Sequence, residues 1–207
     1  SALKLHTKHK EKIFHIPFGV DINFWEKKEV KNLKKNSLLF IGNDLNRDYK
    51  FLINLVKKLP EIDFKIISKR FTENELSFQN VELISGDWHS DKLTDQNIRE
   101  IYSSSIITLI PLKNSIQPSG QSVCLQSMAC QTPVIITKTI GFWSPKDLLD
   151  ESDIILLEPD VDVWVDGIIK LMNDEKLRSK LSQNALGKVK SKYTLKQFSK
   201  SLIDLIE

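Results

Sequence analysis

Residues 117–137 constrain this chain most. Two strand-like apolar runs, 106–112 and 133–137, bracket a segment that opens on Ser119-Gly120-Gln121-Ser122 and continues as a helix. A short polar side chain, or none, at a helix start leaves the first backbone N–H groups free for a ligand. At helical spacing Ser119, Ser122 and Gln126 share one face, while Val123, Cys124, Met128 and Ala129 fall mostly on the others. The spacing predicts a buried helix with one polar stripe, and its positive end suits a phosphate or another anion. An ordinary polar-capped helix of an α/β sheet would look the same.

The flanking pattern narrows the fold. Apolar runs at 37–42, 64–68, 81–85, 106–112, 133–137 and 154–157 read as six strands. The first, Ser37-Leu38-Leu39-Phe40-Ile41-Gly42, is continuous, as expected of a central parallel strand buried on both faces. Between and after the strands, residues 49–59, 95–103, 160–173, 175–191 and 194–206 repeat apolar side chains at helical spacing. Pro60 ends the first of these helices, and Thr94 or Asp95 caps the second. Residues 13–21 read as a short apolar strand broken by Pro17 and Gly19 into a turn, and 26–36 as a polar loop. Residues 147–149 read as a helical turn. The alternation predicts an α/β fold: a doubly wound parallel six-stranded sheet with helices on both faces. We divide the chain into a crossover segment (1–36), a Rossmann-like domain (37–191) and a C-terminal helix (192–207).

Charge and cysteine content exclude several classes. Residues 1–35 hold nine Lys against four acidic residues, so the rest of a chain of net charge +3 is slightly acidic. A nucleic-acid binder would show a basic face on the folded body; the Lys-rich head reads as a solvated linker, with room for a peripheral membrane contact. Cys124 and Cys130, six apart on one helix, cannot bridge, which fits a reduced cytoplasmic protein. No apolar run approaches a membrane span, and the first residues carry no signal-peptide pattern. His6 and His9 lack companion ligands for a metal. Asp160-Val161-Asp162 spells an acidic pair that binds metal elsewhere, but it follows a strand at a helix start, where capping explains it. His89 lies on a loop at a strand's carboxyl edge, as a plain loop residue or a contact to a base or ribose. No phosphate-binding GxxxxGK[ST] loop and no GxSxG elbow appears.

Four segments in order resemble the donor-binding domain of group 1 glycosyltransferases of the GT-B fold: Ile16-Pro17-Phe18-Gly19-Val20-Asp21; Leu39-Phe40-Ile41-Gly42 with Asn46-Arg47-Asp48-Tyr49; Ser127-Met128-Ala129-Cys130-Gln131-Thr132-Pro133-Val134-Ile135; and Leu156-Leu157-Glu158-Pro159-Asp160. The resemblance covers nearly the whole chain. It implies a hexosyl transferase, retaining and metal-independent, with no cofactor beyond a nucleotide-diphosphate sugar of UDP or GDP type as donor. It also implies that a separate N-terminal acceptor-binding domain is absent from this chain.

On that reading Gly42 and Arg47 in the loop after the first strand, and Gly120, Gln121 and Ser122 at the helix start, meet the diphosphate. Lys69 and Arg70 stand at the same carboxyl edge of the sheet, where open α/β sheets bind ligands. Two glutamates eight positions apart are typical of the family; here Pro118 and Gln126 stand in their places. Gln126 can still hydrogen-bond a ribose diol, whereas Pro118 offers no side-chain bond, so a sugar contact moves to Gln117 or Ser119 or is absent. Asn43 replaces the family's arginine after the first glycine. Gln131 stands where a glycine would end the helix in left-handed geometry. Two alternatives stay open: a degenerate module that binds without turnover, and a receiver-like signalling domain using Asp44 and Lys138.

Overall fold

The structure, a computed structural model, describes residues 13–26, 37–87 and 93–206. Six short strands form one sheet: β1 (Leu38–Ile41), β2 (Phe64–Ile67), β3 (Val81–Ile84), β4 (Ile107–Ile110), β5 (Val134–Thr137) and β6 (Ile155–Leu157). Their spatial order is β3-β2-β1-β4-β5-β6, and every pairing is parallel. The central strands β1, β4 and β5 are buried at every residue, whereas the edge strands β3 and β6 are half-buried. This is the gradient a continuous Leu/Ile/Val run produces when helices cover both faces.

Alternation within each strand sorts the apolar side chains into two cores. Leu39, Ile41, Ile110 and Ile136 join one core, and Leu38, Phe40, Leu109 and Ile135 the other. Over the first face lie α1 (Ile22–Trp25), α3 (Asp95–Ser104) and α4 (Gln121–Ala129); over the second lie α2 (Tyr49–Lys58) and α5 (Val161–Asn173). Helix α6 (Glu175–Lys192) puts Leu181 in the second core and Ala185 and Val189 in the first. Helix α7 (Leu195–Ile203) ends the described chain.

The helix starts are set locally. Asp48 accepts from the N–H of Phe51, and Thr94 and Thr194 each form a reciprocal capping box, with Asn97 and Gln197. Asp160 accepts from the N–H groups of Asp162 and Val163, which is the capping role expected of the Asp160-Val161-Asp162 run. Gln131 has φ 55°, the left-handed geometry that its place at the end of α4 predicts.

Residues 13–21 depart from expectation. They form no strand; Val20 alone makes a bridge, to Thr194, with its N–H on the Tyr193 carbonyl (2.8 Å). The next four residues make α1, capped by Asp21, which puts Trp25 edge-on to Tyr102 and its carbonyl 3.1 Å from Cys130 Sγ. Val20 and Trp25, inside the segment set apart above as a crossover, are thus buried in the first core. Helix α7 is amphipathic as expected, yet none of its residues is buried. Among the described residues no helix is long and apolar enough to cross a membrane.

Cys124 and Cys130 are free and fully buried. Burial pushes both thiols up to about 12, so neither is a thiolate near neutral pH, and the thiolate is the reactive form. Ellman's reagent at pH 8 should label neither in the native chain and both in urea; rapid native labelling would show that this core opens.

Candidate functional site

The chain winds outward from β1 to β2 and β3, then returns to lay β4 on the other side of β1. At such a switch point the loops leaving two neighbouring strands diverge and open a crevice at the carboxyl edge. A cavity of about 350 Å³ lies there, lined by Gly42, Asn43, Asp44 and Arg47 from the β1 loop and by Ser122, Val123 and Gln126 from α4.

The α4 wall follows from its sequence. Gly120 is the N-terminal cap, with φ 81° and ψ 2°, in the left-handed region. A Cβ there would sit 2.8 Å from Ile110 Cγ2, so both backbone angle and space call for glycine. Glycine offers no side-chain acceptor, no acidic residue stands in the first turn, and the first intrahelical bond of this turn runs from Cys124 N–H to the Gly120 carbonyl. The amides of Gln121, Ser122 and Val123 therefore form the positive end of a helix without a side-chain cap. Ser122 and Gln126 are half-buried, while Val123, Cys124, Leu125, Ser127, Met128 and Ala129 are buried. Of the stripe read from spacing, Ser122 and Gln126 share the open face, whereas Ser119 precedes the helix and bonds Arg47 and Asp44 instead. Gln126 Oε1 accepts from the hydroxyl of fully buried Tyr102 at 3.3 Å, which fixes the amide against the floor. Buried Ser127 and Thr108 pair at 2.7 Å, so the helix meets β4 with its polar groups satisfied.

The β1 wall is more heavily bonded. Arg47 is 3% exposed. Its Nη1 donates to Ser119 Oγ (2.9 Å) and pairs with Asp44 Oδ2 (3.1 Å), while Nε and Nη2 approach the Ile41 carbonyl at 3.4 and 3.5 Å. Burial lowers the affinity of this guanidinium for its proton, and Asp44 opposes that; arginine stays charged nonetheless. Asn43 reaches the other way: Nδ2 donates to the Gly86 carbonyl (2.9 Å) and Oδ1 accepts from Lys69 N–H (2.7 Å). The loops after β1, β2 and β3 are thereby tied together. Lys69 Nζ pairs with Asp87 at 2.7 Å, and Arg70 Nε donates to the Asn43 carbonyl at 2.8 Å.

The sequence model of glycosyl transferases group 1 matches residues 21–188. This chain belongs to the group 1 glycosyltransferase family. A Thermosipho melanesiensis protein described as "Probable sucrose-phosphate synthase" is 23% identical across 99% of this chain and 49% of its own length. The C-terminal domain of a group 1 family glycosyl transferase from Francisella tularensis (LpcC) matches with TM-score 0.67 and 21% identity, covering 86% of this chain and all of that domain. Anabaena HepE, solved in complex with UDP, matches with TM-score 0.78 and 14% identity over 96% of this chain and 58% of its own. The chain spans about half the length of the curated relative it matches.

Of the residues expected at the site of this group 1 family member, the fold brings Gly42, Arg47, Ser122 and Gln126 to one cavity, with Gly120 against Arg47. Gln121 belongs to the same helical turn without lining the cavity, and Lys69 and Arg70 do not line it either but are bonded to Asn43, which does. Pro118 and Gln117 are exposed on the preceding loop. His89, like His6 and His9, lies outside the described residues. Trp25, Asp95 and Ile98 also line the cavity, and the sequence reading does not single them out. The sequence offers Asp95 only as an alternative to Thr94 for the cap of α3, a place that Thr94 takes, and Trp25 arrives through a contact that no local pattern encodes. Lys138 pairs with Glu158 rather than with Asp44, which removes the arrangement a receiver would use. Among the described residues no cluster of three or more His, Cys, Asp or Glu could hold a metal.

Proposed function

We propose that this chain binds the nucleotide diphosphate of a sugar donor, of UDP or GDP type, in the crevice between the β1 loop and α4. The protein it belongs to would transfer the hexosyl group with retention and without a metal. One observation carries the reading: a glycine-started helix without a side-chain cap opens onto the cavity that the β1 loop lines. Departure of the nucleotide diphosphate builds negative charge on its oxygens. Fixed N–H donors aimed at that charge stabilise it more than they stabilise the ground state. The amides of Gln121, Ser122 and Val123 fill this role, Gln126 bonds the ribose, and Lys69 and Arg70, bonded to Asn43, add positive potential from the neighbouring loop. HepE, a structural neighbour, is solved with UDP, which supports the same ligand class.

The opposite wall of the crevice is assigned to an N-terminal domain, because the relatives are about twice as long. The exposed Leu195 and Leu202 of α7 and the exposed Phe14 and Phe18 are apolar side chains that such a domain could cover. Gly19 packs against Phe198 and Thr194, so both segments lie together.

Calorimetric titration with UDP, GDP, ADP and their sugar conjugates tests the donor assignment. One diphosphate should bind, and Gln126→Ala should weaken it by about five- to tenfold, the value of one or two modest hydrogen bonds. Failure of every nucleoside diphosphate to bind would overturn the reading. Binding with no turnover in the full-length protein would instead favour a donor-binding module that has lost chemistry, a reading that Pro118 supports by offering no sugar contact.

A further inference from the structure

Arg47 has the charge to meet a diphosphate, but its geometry serves another purpose. Its fork is committed to protein acceptors: Nη1 to Ser119 and Asp44, Nε and Nη2 to the Ile41 carbonyl. Ser119 Oγ in turn donates to Asp44 Oδ1 at 2.9 Å, closing a three-member ring of guanidinium, hydroxyl and carboxylate. Asp44 Oδ1 also accepts from Asn46 N–H, and the Asp44 carbonyl accepts from Tyr49 Oη at 2.9 Å, so the acid is fixed at both ends. The Arg47 backbone bridges Leu112, just beyond β4.

Two glycines flank the side chain, one on each wall. A Cβ on Gly42 would lie 2.5 Å from Arg47 Nε, and one on Gly120 would lie 3.4 Å from Nη1. The arginine therefore fills the floor between the β1 loop and the left-handed residue that starts α4.

We propose that Arg47, Asp44 and Ser119 form a clasp that positions the first turn of α4, with Arg47 acting on the diphosphate through Ser119 and Gly120 rather than by touching it. This deepens the donor-site reading and rests on it. The ring ties Ser119 to the β1 loop one residue before Gly120, so it holds the left-handed turn and with it the direction in which the first amides point. Anion binding at a helix start depends on that direction, since the N–H groups must converge on the ligand. Opening the ring leaves the fold's cores intact and lets the turn relax.

The test uses Ser119→Ala, Arg47→Lys, the double variant and the hydroxyl-retaining Ser119→Thr, titrated with UDP and with uridine. Each of the first two should weaken UDP about tenfold. The double variant should be no worse than either single one, because both break the same ring. Uridine affinity should hold, and Ser119→Thr should retain UDP binding. If Arg47→Lys loses UDP affinity while Ser119→Ala stays within twofold, or if the two losses multiply, Arg47 touches the phosphates directly and the clasp proposal fails. Amide hydrogen exchange at Cys124, whose N–H closes the first turn on the Gly120 carbonyl (2.9 Å), measured without nucleotide, separates this from the donor reading. Faster exchange in Ser119→Ala upholds the clasp even if no nucleotide binds, and unchanged exchange overturns it.

Discussion

Gly120→Ala should lower UDP affinity more than tenfold and destabilise the chain by about 2–5 kcal/mol, while Gly187→Ala, the same chemical change, should stabilise it. At Gly120 the backbone is left-handed, which costs a residue with a Cβ roughly 1–2 kcal/mol. The added methyl would also sit 2.8 Å from Ile110 Cγ2 in a buried setting, and overpacking of that kind costs about 1–3 kcal/mol. The chain can escape both penalties only by rotating Gly120 out of its conformation, and that swings the first turn of α4 away from the cavity. Gly187 lies inside α6, and a Cβ there meets nothing within 4 Å. Alanine at that site removes the helix penalty of glycine, about 0.5–1 kcal/mol. Urea unfolding and calorimetry on the two variants measure both quantities. A Gly120→Ala chain with unchanged midpoint and unchanged affinity would contradict the geometry on which the donor site is built.

How far such a site can be read without coordinates depends on the range of the interactions that make it. The six strands, the helices from α2 onward and the caps at Thr94 and Asp160 follow from residues within four positions of one another, and the sequence offers each of them, Thr94 as one of two candidates; the capping box at Thr194 is equally local but is not read from the sequence. The polar stripe on α4 is legible for the same reason, as is the left-handed Gln131 that closes it. Helix α1 is not legible: four residues carry no periodicity, and Trp25 is held by Tyr102 and Cys130, far along the chain. Arg47 falls between these cases. Its place in the β1 loop follows from the sequence, but its partner Ser119 is 72 residues away. From spacing alone an arginine beside a phosphate-binding helix reads as a ligand contact. Only the closed ring with Asp44 and Ser119 shows where its donors are spent. The exposed apolar face of α7 is a third kind of case, since the pattern predicts an amphipathic helix but not what covers it.

Trp164→Ala should produce the largest stability loss and the smallest binding change. Trp164 is fully buried, its ring centroid lies 5.1 Å from that of Phe51 in an edge-on arrangement, and its indole N–H donates to the Glu158 carbonyl at 3.1 Å. Deleting a buried tryptophan side chain costs about 3–5 kcal/mol, and at this chain length each kcal/mol lowers Tm by roughly 2–4 °C. A fall of about 10 °C is expected. The residue belongs to the core between the sheet and α2, α5 and the start of α6, whereas α4 packs on the opposite face. The sheet transmits little of a cavity on one face to a helix start on the other, because β1 and β4 stay paired through their backbones. UDP affinity, measured well below the lowered Tm, should therefore stay within about twofold of the parent. Set beside Gly120→Ala, which removes affinity at a smaller or equal cost in stability, this separates the site from the fold that carries it. If Trp164→Ala instead weakened UDP as strongly as Gly120→Ala, the loss at Gly120 would reflect general loosening, and the α4 amides could not be credited with holding the diphosphate.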